Sequence, residues 1–118
     1  MNGSLPTNAF VRFLHLMRAI SGLPTGITLD PQEERLIQEL AVRWGNNESV
    51  PVLTAMGMMP DASPSTVQRR LKSLRAKGLI AYETAPEDAR VRHIVPTSQG
   101  QAYFNQMSDL LLEAAKRR

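Results

Sequence analysis

The chain has 118 residues, 42% apolar and 21% charged, with no cysteine and a formal net charge of +3. Length and balance predict a single globular domain with its own hydrophobic core, and the missing cysteine excludes a disulfide framework, a thiolate metal site and thiol redox chemistry. No apolar run is long enough to cross a bilayer and Met1-Asn2-Gly3-Ser4 lacks the basic-then-apolar layout of a secretion signal, so the expectation is a soluble, cytoplasmic protein with no membrane contact.

Phe10, Phe13, Leu14, Met17 and Ile20 fall on one stripe at helical spacing, with Arg12, His15 and Arg18 off it, which predicts a first helix over 8–20. A helix of that length is marginal alone, so its stripe must dock on the main domain or on a second subunit. Ser21-Gly22-Leu23-Pro24-Thr25-Gly26 reads as a linker. Asp30-Pro31-Gln32-Glu33 then opens a second helix: Asp30 can cap free amides, Pro31 suits the first turn, and Glu33 sits where a capping-box acid reaches back. Leu36, Ile37, Leu40, Ala41 and Trp44 form its buried face, Trp44 anchors its end, and Gly45-Asn46-Asn47 stops it.

Residues 50–59 predict a shorter helix carried by Val52, Leu53, Met56 and Met59, with Met58 as further core filler, broken by Pro60-Asp61-Ala62. Ser63-Pro64 starts another helix that runs to Lys77 and stops at Gly78, with Val67, Leu71 and Leu74 as a narrow apolar stripe. After Gly78 the apolar period shortens to that of a strand: 79–84 predicts one strand, 85–89 a tip and 90–95 a returning strand. Pro96 ends it, and Thr97 or Ser98 caps a last helix with Tyr103, Met107, Leu110, Leu111 and Ala114 on one face. Lys116-Arg117-Arg118 puts cations where a helix C-terminus favours them.

The positive charge is concentrated. Residues 63–93 hold seven Lys/Arg (Arg69, Arg70, Lys72, Arg75, Lys77, Arg90, Arg92) against three acids, while the remainder holds seven basic residues against eight acidic. Within 63–77 there are five basic residues and no acid. Solvated helices ordinarily mix signs, because opposite charges one turn apart support each other. An acid-free cationic helix accepts self-repulsion, which a polyanion would relieve.

Helix, short helix, turn, basic helix, hairpin and helix is the plan of a winged helix-turn-helix. The fold class expected is mainly α with a small β-hairpin wing (α+β), flanked by N- and C-terminal helices. Residues 1–29 would be an arm for dimerisation, 30–97 the DNA-binding domain and 98–118 a second dimerisation helix. The run Ser65-Thr66-Val67-Gln68-Arg69-Arg70-Leu71 through Leu74-Arg75-Ala76-Lys77-Gly78-Leu79-Ile80 resembles the recognition-helix segment of MarR-type transcriptional regulators. Pro86-Glu87-Asp88-Ala89-Arg90, followed by Thr97-Ser98-Gln99-Gly100, is similar to that family's wing-tip D-x-R and post-wing T-x-x-G. The resemblance covers residues 30–100. It implies a transcriptional regulator that binds double-stranded DNA sequence-specifically, with helix 63–77 in the major groove and wing 80–95 at the minor groove.

With Val67, Leu71 and Leu74 inward, Ser65, Arg69, Lys72 and Ala76 project outward, with Gln68 and Ser73 nearby. Arg69 and Gln68 are the expected base readers, since arginine matches guanine and glutamine matches adenine. Ser65 or Thr66 would touch phosphate or base near the helix start, and Lys72 suits either task. Arg70 and Arg75 flank the buried stripe, where phosphate contact competes with packing or pairing against a neighbouring helix. Arg90 would enter the minor groove, the alternative being a solvated loop charge, Arg92 would add to the phosphate field, and Asp88 would orient Arg90. Phe10, Phe13, Leu14, Met17, Tyr103, Met107, Leu110 and Leu111 are the candidate homodimer surface, the alternative being that both helices fold back on their own subunit.

His15 and His93 stand apart without ligand-spaced neighbours, so no metal is expected. No nucleophile elbow, glycine-rich phosphate loop or carboxylate dyad is present, and neither catalysis nor a cofactor is expected. An effector pocket would lie between the terminal helices and the winged core, but no residue identifies a small-molecule ligand. A second class remains: a winged-helix protein-interaction module, or a replication or partition factor of a mobile element.

Overall fold

The computed structural model of the protein describes residues 8–21 and 27–116. Most of the linker 21–26 and the tail residues Arg117-Arg118 lie outside them. The elements are α1 (Ala9–Ser21), α2 (Pro31–Gly45), β1 (Val50–Pro51), α3 (Val52–Ala55), α4 (Pro64–Ala76), β2 (Ile80–Ala85), β3 (Asp88–Pro96) and α5 (Ser98–Ala115). Two compact units divide the chain: Leu29–Gln101, and Met1–Thr28 with Ala102–Arg118.

In the first unit, helix ends follow their local chemistry. Asp30 Oδ1 accepts from the Glu33 amide at 2.7 Å while the Asp30 amide donates to Glu33 Oε1 at 2.8 Å, a complete capping box. At the far end Asn47 takes a left-handed φ of 61°. There the Glu48 amide donates to Arg43 O and the Asn47 amide to Trp44 O, so two terminal carbonyls are satisfied. α4 starts the same way, with the Thr66 amide donating to Ser63 Oγ at 3.2 Å and Pro64 in the first turn. It ends at Gly78, whose φ of 80° a side chain would strain. Here the Leu79 amide donates to Leu74 O and the Gly78 amide to Arg75 O.

Between these helices the structure departs from expectation. Residues 50–59 contain one helical turn, not a longer helix. Val50 and Pro51 are extended and pair with Ile94 and His93, making the hairpin a three-stranded antiparallel sheet in the order β1-β3-β2. Proline is the cause: it disfavours helical geometry at the residue before it, and with no amide to give it belongs at a sheet edge. After Ala55 the backbone tightens, with Met56, Gly57 and Met58 donating three residues back.

α2 packs against α4; Leu36, Ile37 and Leu40 of α2 and Val67, Leu71 and Leu74 of α4 are all buried, and Val50, Ala55, Met58, Met59, Leu79, Ile80, Ala85 and Ile94 complete the core. Trp44 closes the end of α2 by donating its indole N–H to Ile94 O at 3.1 Å. Met56 is only half-buried. The T-x-x-G segment has a physical basis. Thr97 Oγ1 donates to Gly78 O at 2.5 Å and accepts from the Gly100 amide at 2.9 Å. A Cβ at Gly100 would collide with the Leu79 carbonyl oxygen, so glycine permits this close approach.

In the other unit, Arg12 Nε of α1 donates to Ala114 O near the end of α5 at 2.9 Å, answering a carbonyl that the helix leaves open. Ala114 is buried, whereas Phe10, Leu111 and Leu112 expose 64%, 54% and 67% of their surface. Phe13, Leu14, Met17, Tyr103, Met107 and Leu110 are half-buried. None of the described helices is long and apolar enough to cross a membrane.

Candidate nucleic-acid interface

The buried stripe of α4 sets its rotation, and the rotation sorts its polar residues. Ser65, Gln68, Arg69, Lys72 and Ala76 are exposed on the side away from Val67, Leu71 and Leu74. Arg69 Nη2 lies 3.4 Å from Thr66 Oγ1, and Ser65 Oγ lies 3.2 Å from the capping Ser63 Oγ. No carboxylate pairs with Arg69 or Lys72 among the described residues.

The other basic residues of this segment are engaged within the protein. Arg70 Nε donates to Gln32 Oε1 at 2.8 Å and its Nη1 lies 3.4 Å from Asp30 Oδ2, contacts that tie α4 to the start of α2. Lys77 Nζ donates to Glu33 Oε1 at 2.7 Å, and Ser73 Oγ donates to Glu33 Oε2. Ser73 therefore belongs to the α2 contact and not to the outward set. Among the described residues, Glu33 is the one charged residue buried in the core. Burial alone would raise its pKa, but the hydrogen bonds from Lys77, Ser73 and the Asp30 amide prevail and hold it below the ordinary glutamate value. The sequence identified Glu33 as a capping acid but not as the hub between α2 and α4. Its spacing to Lys77 is a tertiary fact that no local pattern carries.

On the wing, strands β2 and β3 run in register from Ile80↔Pro96 to Thr84↔Arg92, with an irregularity at Thr84/Ala85 before the turn. Asp88 receives three hydrogen bonds from Arg90: from its amide at 3.0 Å, from Nε at 3.1 Å and from Nη2 at 3.1 Å. These bonds hold the Asp88 carboxyl below the usual range. The Arg90 side chain is otherwise 90% exposed, so the pair sets its direction without covering it. Arg75, in the last turn of α4, stacks with its Cζ 4.1 Å from the Tyr82 ring centroid, and Arg92 of β3 reaches the same ring at 5.1 Å. Tyr82 carries no signal in the sequence beyond an apolar strand position. His93 is half-buried, its Nε2 lying 4.0 Å from Glu87 Oε1.

The structure thus brings Ser65, Thr66, Gln68, Arg69 and Lys72 together on α4 and sets Arg90 and Arg92 on the wing. Arg75 leans toward the wing through Tyr82, and Arg70 turns inward.

No protein-family model and no curated protein sequence matches the chain. Among solved structures it is similar to a transcriptional regulator from Thermotoga maritima, at 17% identity and a TM-score of 0.63 over 89% of this chain and 66% of that one. The chain therefore spans just under two thirds of that protein. A MarR-like transcriptional regulator, also from Thermotoga maritima, matches at 21% identity and a TM-score of 0.58, over 97% of this chain and 81% of that one. BpsR of Bordetella bronchiseptica, whose DNA binding is regulated by 6-hydroxynicotinic acid, matches at 16% identity and a TM-score of 0.54, over 90% and 70%. At these identities the likeness establishes the architecture: the chain has the winged-helix fold of MarR-like regulators.

Proposed function

We propose that the chain is a regulator of transcription that binds double-stranded DNA sequence-specifically, in the cytoplasm and as a homodimer. The observation that carries this reading is the outward side of α4. Ser65, Gln68, Arg69 and Lys72 are exposed on a segment, 63–77, that holds no acid. In the major groove, Arg69 and Gln68 would read base edges, Ser65 or Thr66 would seat the helix start, and Lys72 would serve either purpose. Arg90, braced by Asp88, would enter the minor groove, and Arg75 and Arg92 would meet phosphates. Arg70, held by α2, is assigned to docking the helix. The function carries no catalytic step.

Dimerisation is supported by the apolar surface of the second unit, where Phe10, Leu111 and Leu112 are exposed. A two-fold pairing through α1 and α5 would supply one recognition helix to each of two half-sites, which lie ~34 Å apart on DNA when they are one turn apart. A small-molecule effector is part of the same reading, by analogy with BpsR, with its chemistry open. Selection of bound fragments from a random duplex pool tests the proposal. The expected product is a two-fold symmetric motif with half-sites one turn apart. Recovery of no enriched sequence would contradict it.

A further inference from the structure

Tyr82 has no assigned task in this scheme, yet two arginines converge on it. It sits half-buried in β2 opposite Ile94. Arg92 is paired with Thr84 and is therefore its diagonal neighbour, within reach of an aromatic ring. Arg75 arrives from a different element, the last turn of α4. Their guanidinium carbons lie 5.1 Å and 4.1 Å from the ring centroid. Both side chains are exposed, and neither has a carboxylate partner among the described residues.

Two guanidinium groups held near one ring by its attraction for each concentrate positive charge at one place on the surface. An anion placed between or beside them would complete the arrangement. A guanidinium that stacks on a ring still offers N–H groups to a phosphate, often in bidentate form. The two arginines come from the helix and from the wing, so an anion binding both would bridge those elements.

We propose that Tyr82 is a positioning residue that holds Arg75 and Arg92 as a two-guanidinium seat for the sugar–phosphate backbone where it passes from α4 to the wing. The proposal rests on the DNA-binding reading above. It adds that the seat is indifferent to base sequence and depends on an aromatic ring, not on a hydroxyl.

The test measures affinity for a selected duplex and for a random duplex, with a thermal melt of each protein. The proteins are wild type, Tyr82→Phe, Tyr82→Leu, and the double substitution Arg75→Gln/Arg92→Gln in wild-type and Tyr82→Leu backgrounds. Tyr82→Leu should lose about five- to tenfold in affinity for both duplexes, as two exposed cation–π contacts imply. Tyr82→Phe should stay within about twofold of wild type, because the ring is kept. The arginine substitutions should cost less in the Tyr82→Leu background than in wild type, since the ring is what makes them effective. Equal costs in both backgrounds, or a Tyr82→Phe protein as weak as Tyr82→Leu, would overturn the proposal while leaving DNA binding intact. Absence of duplex binding by wild type overturns both, and shows before any variant is made. A second measurement needs no substitution at Tyr82: the Arg75 and Arg92 Nε–H resonances of wild type should move on adding random duplex, and unmoved resonances contradict the seat.

Discussion

α2 and α4 are built to the same local plan and differ in charge. Each begins with an extended capping residue and a proline, buries three aliphatic side chains completely, and closes with a left-handed residue whose neighbours satisfy the last carbonyls. α2 mixes Glu33, Glu34 and Glu39 with Arg35 and Arg43, and three of its charges are answered within the protein, by Lys77, Asp61 and Glu48. α4 has Arg69, Arg70, Lys72 and Arg75 and no acid. The apolar pattern therefore explains why both helices exist and meet. It does not explain the charge of α4, which helix stability would not select, and that excess points to an external anion.

Substitutions can break or sharpen this contrast. The largest effect belongs to the shared part: Leu71→Ala, at a position with no exposed surface, should destabilise the fold by about 2–5 kcal/mol in urea unfolding. Glu33→Gln should cost about 1–3 kcal/mol at neutral pH, because a buried carboxylate with three donors is lost. Its pH dependence has a definite sign. The folded pKa of Glu33 lies below its unfolded value, so its contribution is complete above the unfolded value and disappears as pH falls through the folded one. The stability gap between wild type and Glu33→Gln should narrow on acidification, and a gap that widened would contradict the network.

Arg69→Ala should leave stability alone but cost about 1–3 kcal/mol in duplex affinity, with relaxed sequence preference. Arg92→Ala should weaken all sequences alike and reduce the salt slope by about one. The smallest effect is expected on α2: Arg35→Ala removes an exposed pair with Asp61 and should change neither stability nor binding measurably.

Much of this was legible in the sequence because it is local. Asp30-Pro31 and Ser63-Pro64 announce helix starts, Gly78 a stop, and the period change after it a hairpin. The Asp88–Arg90 pair and the Trp44 anchor also lie within reach of such reasoning. Residues 50–59 carry the helical spacing of Val52, Met56 and Met59, and Pro51 is their one local hint of a strand, because β1 depends on pairing with β3, more than forty residues away. The hub role of Glu33 and the convergence of Arg75 and Arg92 on Tyr82 were invisible for the same reason. Each joins elements whose meeting only the folded chain reveals.

The central claim is that the exposed cationic side of α4 engages a duplex. Wild-type affinity for DNA measured across a series of salt concentrations tests it most directly. The account predicts measurable binding near physiological salt and a log–log slope of about −0.9 for each of several phosphates neutralised. Binding that is absent there, or insensitive to salt, would contradict it.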